Sequence, residues 1–115
     1  MKPILSAGKN LLDFLLNKEP AWPLERVSED DVRTMLGAGF ESAVGLSQTA
    51  ALFAGRLGIE VKPAAQFMRF SPGQKIIVGE YDRNLCDENV PSFPPNARID
   101  WFLITCLESI NYQPA

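Results

Sequence analysis

The stretch Phe40–Gly58, FESAVGLSQTAALFAGRLG, decides the fold. Phe40, Ser42 and Val44 share one parity and Glu41 and Ala43 the other, so residues 40–44 read as a short strand, although Ser42 interrupts its apolar side. Gly45 and Leu46 then turn the chain. Ser47 stands where an N-cap belongs, and a helix is predicted from it to about residue 57, where Gly58 ends it. Ala50, Ala51, Phe53, Ala54 and Leu57 give that helix a small-residue face suited to close packing on a sheet or a second subunit. A strand, a short turn and a helix in this order make a βα unit, and the flanking sequence extends the same alternation.

Towards the N-terminus, PILSA at 3–7 reads as a buried strand ended by Gly8. KNLLDFLLN at 9–17 places Leu11, Leu12, Leu15 and Leu16 at helical spacing. AWPLERV at 21–27 is extended, and Pro23 confines it to an edge or an irregular strand. Ser28 begins the next helix with Asp31 three residues on, in the position of a capping box, and Glu29, Asp30 and Asp31 complement the helix dipole. That helix stops at Gly37-Ala38-Gly39.

Towards the C-terminus, AAQFMRF at 64–70 and KIIVGEY at 75–81 read as a hairpin across Ser71-Pro72-Gly73-Gln74, a type II turn pattern. Residues 82–96 form a long polar loop with several prolines, of the length that tends to carry function. ARIDWFLITCLES at 97–109 is apolar on both parities, as expected of a central or interface strand. The expected fold is an α/β (α+β) domain over residues 1–109, followed by a loose tail at 110–115. Its order is β-α-β-α-β-α-β-β-β, with a single mixed β-sheet of about five to six strands flanked by helices.

Composition narrows the function. The 115 residues carry a net charge of −3, with 46% hydrophobic and 22% charged residues, as in ordinary globular domains. A broad basic face for DNA is not expected from that balance. There is no histidine, and Cys86 and Cys106 form no CxxC pair, so neither a zinc site nor any other metal or cofactor is predicted. Two reduced thiols in a cytoplasmic protein are the expectation. No run approaches the roughly 20 apolar residues of a membrane span, so no membrane partner is predicted.

The block Gly39–Tyr81 resembles a known family: small proteins of archaeal viruses, phages and plasmids that include the anti-CRISPR ring nucleases. Its AVGLSQTAALFAGRLGIEV is similar to that family's strand, VGH..TA turn and helix, and SPGQ to its following turn. ILSAGK and IDWFLITCL match its first and last strands more weakly. The resemblance implies a homodimer that binds a cyclic oligonucleotide, cyclic tetra-adenylate in the best-understood members, in a pocket at the dimer interface. It implies a counter-defence role in the cytoplasm of an infected host.

The family's catalytic histidine falls at Leu46, and its first-hairpin arginine near Ala65. Its RLPEG loop is matched best by Asn84-Leu85-Cys86-Asp87-Glu88, which puts Asn84 at the arginine, Arg83 one position off and Asp87 at the glutamate. The family's first-strand asparagine falls at Ser6 and a nearby serine at Lys9. The resemblance therefore implies a ligand-binding set of Ser6, Lys9, Asn10, Ser47, Gln48, Thr49, Arg83, Asn84 and Asp87, with no catalytic residue assigned. Ring opening is attack of a 2′-hydroxyl on the adjacent phosphate, and a positioned acid or base contributes about 10²–10⁴ in rate. Leucine can transfer no proton.

Three functions follow as alternatives. One is a sponge or sensor that binds without efficient cleavage. Another is a diverged nuclease using Lys9, Arg83 or Asp87. The last is a module that keeps only the dimeric fold and recognises a host protein. The turn itself has two readings: Ser47 and Thr49 contact a phosphate at the helix N-terminus, or the turn is an ordinary cap with Leu46 buried.

Overall fold

A computed structural model describes residues 1–64, 68–81 and 98–112. Ten elements follow in order: β1 (Ile4–Ala7), α1 (Lys9–Leu16), β2 (Leu24–Val27), α2 (Glu29–Leu36), β3 (Glu41–Ser42), α3 (Ser47–Leu57), β4 (Met68–Phe70), β5 (Lys75–Tyr81), β6 (Ile99–Thr105) and β7 (Ile110–Tyr112). The first nine reproduce the expected order. Five strands form a mixed sheet in the order β2-β6-β5-β1-β3, and β4 pairs with β7 in a small second sheet.

Strand alternation divides the core between the two faces of the main sheet. Leu5, Ala7, Ile77, Ile99 and Trp101 meet Val32 and Leu36 of α2 and Phe53 and Leu57 of α3. Ile4, Ile76, Val78 and Ile104 meet Leu11, Leu12 and Leu15 of α1, together with Trp22, Met68 and Phe70. Every residue of β1 is buried because both of its faces are covered. β2 lies at the edge, as Pro23 requires, and three of its four residues are exposed.

The helix ends follow local chemistry to different degrees. Ser28 Oγ accepts from the Asp31 amide at 3.1 Å while Asp31 Oδ2 accepts from the Ser28 amide at 3.4 Å, so the capping box forms with aspartate. α3 ends at Gly58 in the left-handed region, φ 67°, with the Gly58 amide donating to Ala54. Its last carbonyls are taken from outside: Arg33 of α2 donates to Leu57 at 2.9 Å and to Arg56 at 3.0 Å. Arg56 Nε in turn lies 3.1 Å from Glu29 Oε1, close enough for an ion pair though not aligned for a hydrogen bond.

Three expectations are corrected. The predicted cap Ser47 is the first helical residue; Leu46 takes the cap position and makes no side-chain cap bond. The 64–81 hairpin does not form, although its turn does: the Gln74 amide donates to Ser71 at 3.0 Å, and Gly73 has φ 85°. The strands beyond the turn separate because their burial demands differ. β5 is apolar on both parities and enters the middle of the sheet, parallel to β1 and antiparallel to β6. β4 buries Met68 and Phe70 but exposes Arg69, a one-sided strand that suits the small sheet. Finally, Ile110–Tyr112, the described part of the expected loose tail at 110–115, pairs with β4 as β7, and the Tyr112 ring lies tilted 5.0 Å from Phe14, centroid to centroid.

One close approach fixes α3 to the sheet. Phe53 packs 4.8 Å from Trp101 and 6.1 Å from Tyr81, centroid to centroid, over Gly79 of β5. A Cβ at Gly79 would lie 2.5 Å from Phe53 and 2.8 Å from Trp101. On the other face, burial pushes the Cys106 thiol above the ordinary thiol range, partly offset by its 2.9 Å hydrogen bond to the Glu108 carbonyl.

Gly79→Ala is expected to cost about 1–3 kcal/mol through overpacking, measured as a lower denaturation midpoint. Because the thiolate is disfavoured only in the folded chain, the unfolded chain ionises first, and stability should fall as pH rises through the unfolded thiol range near about 8.5. In a Cys86→Ser chain the native Cys106 should resist a thiol reagent that labels it at once in denaturant.

Candidate functional site

β1, β3 and β5 run parallel, and β2 shares their direction because both β2 and β5 are antiparallel to β6. Four strands therefore end at one edge of the sheet, where β6 begins, and each helix that directly follows a strand begins there too. β1 and β3 are neighbours, yet α1 packs on one face and α3 on the other. In α/β sheets the carboxyl ends of adjacent parallel strands whose connections leave on opposite faces are the usual ligand position.

The helix N-termini at this edge are not alike. α2 has its capping box and three acids in the first turn. α1 begins behind Gly8, which has φ 115°, and α3 behind Leu46; neither has a side-chain cap or an acidic residue in its first turn. The two helices that begin at this switch point thus present the amide ends and positive dipole poles that favour an anion.

The expected ligand-binding residues divide into three groups. Asn10 and Ser47 are exposed in the first turns of α1 and α3, Gln48 is half-buried beside Ser47, and Lys9 opens α1. Ser6 and Thr49 belong instead to the framework, because both are buried. Ser6 Oγ donates to the Ala43 carbonyl at 3.3 Å and joins β1 to the segment after β3. The Thr49 hydroxyl shares a hydrogen bond with the Tyr81 hydroxyl and joins the first turn of α3 to the end of β5. Arg83, Asn84 and Asp87 lie outside the described residues, as does Ala65.

Leu46, expected inside if the turn only packs, is 50% exposed. A large apolar side chain thus stands in the open beside the uncapped α3. Tyr81 was missed by the sequence reading, though an amphipathic residue closing an apolar strand before a polar loop was the available signal. Among the described residues no three of Cys, Asp or Glu converge as a metal cluster, and no helix is long and apolar enough to cross a membrane.

This arrangement defines an α/β protein whose mixed sheet has a switch point between β1 and β3. Residues 11–92 match the STIV B116-like family, a family of viral proteins, and the chain belongs to it. No curated protein matches the chain.

Thr49→Val should remove the Thr49–Tyr81 hydrogen bond and cost about 0.5–1.5 kcal/mol. Hydrogen exchange should show the lost protection concentrated in the first turn of α3; uniform loss over the chain would count against a local tie.

Proposed function

We propose that this viral protein binds a cyclic oligonucleotide at the carboxyl edge of its sheet, as a homodimer, and releases it uncut. The observation that carries the reading is the switch point between β1 and β3, where two helices without side-chain caps begin, with exposed Leu46 beside one of them. A ring of phosphodiesters is an anion that such amide ends favour. Its bases supply apolar faces against which a leucine side chain can be buried. Ring opening needs a proton acceptor at the 2′-hydroxyl, and leucine in the turn provides none.

Binding without turnover makes the protein a sponge or a sensor, which suits counter-defence in the host cytoplasm. Dimerisation would bring two such edges together, so that a ring with repeated phosphates meets repeated amide ends. Asn10, Ser47 and Gln48 are the described side chains placed to take part, with Lys9 beside them in the chain.

Calorimetry against cyclic oligoadenylates, followed by chromatography of the incubated ligand, tests the proposal. The expected outcome is binding with the ring recovered intact. Leu46→Asp should weaken binding by about tenfold or more by setting a carboxylate beside the phosphates, without lowering the melting temperature, since the side chain is exposed. Rapid conversion to linear product would replace the sponge by a nuclease. Failure of every ring to bind would sink the nucleotide reading and leave recognition of a host protein.

A further inference from the structure

We draw no further inference here: the strongest candidate, the depression between Lys2, Phe40 and Lys62 at the amino edge of the sheet, has only exposed charged side chains at its rim, with Lys62 already paired to Glu60, and nothing among the described residues shows what fills it.

Discussion

The structure depends on the contact of Phe53 with the bare backbone of Gly79. α3 can lie against the sheet only if one strand position has no side chain, because the ring of Phe53 occupies the space where a Cβ would be. Trp101 on β6 closes that space from the next strand, and Tyr81 meets Phe53 at the sheet edge. The same three aromatic residues thus pack the core and set the height at which α3 begins. Through Thr49 and Tyr81 that height is fixed relative to the end of β5. A core constraint therefore becomes a constraint on the candidate site.

Strand direction supplies the other half of the site. Placing β5 parallel to β1, rather than in a hairpin with β4, brings the ends of β1, β3 and β5 to one edge. Had β5 paired with β4 in a hairpin, it would have lost one of its two present neighbours, β1 or β6. The small β4–β7 sheet lets this happen, because it gives the one-sided strand β4 a partner of its own and covers the core beside α1.

The readable parts of the sequence were those governed by neighbours in the chain. Ser28 with Asp31, Gly58 after α3, Pro23 at an edge and the Ser71–Gln74 turn all behave as local chemistry requires. The parts that misled were decided by distant partners. Ser47 looks like a cap, but Leu46 is the boundary residue once Phe53 and Leu57 have fixed the helix phase. Thr49 looks like a ligand contact in the GLSQTA turn and is instead buried against Tyr81, thirty-two residues away. Ser6 is likewise taken inward by Ala43.

The sequence by itself determined the alternation of strands and helices, the apolar parity of each strand and the absence of a histidine from the turn. These are properties of residue type and spacing, which local sterics and hydrophobic burial translate directly into elements. Only the tertiary structure decided which strands are neighbours, which face each helix covers and which polar side chains remain outside. Those choices come from satisfying backbone hydrogen bonds and burying both faces of β1 and β5 at once, a condition on the whole chain that no single segment carries.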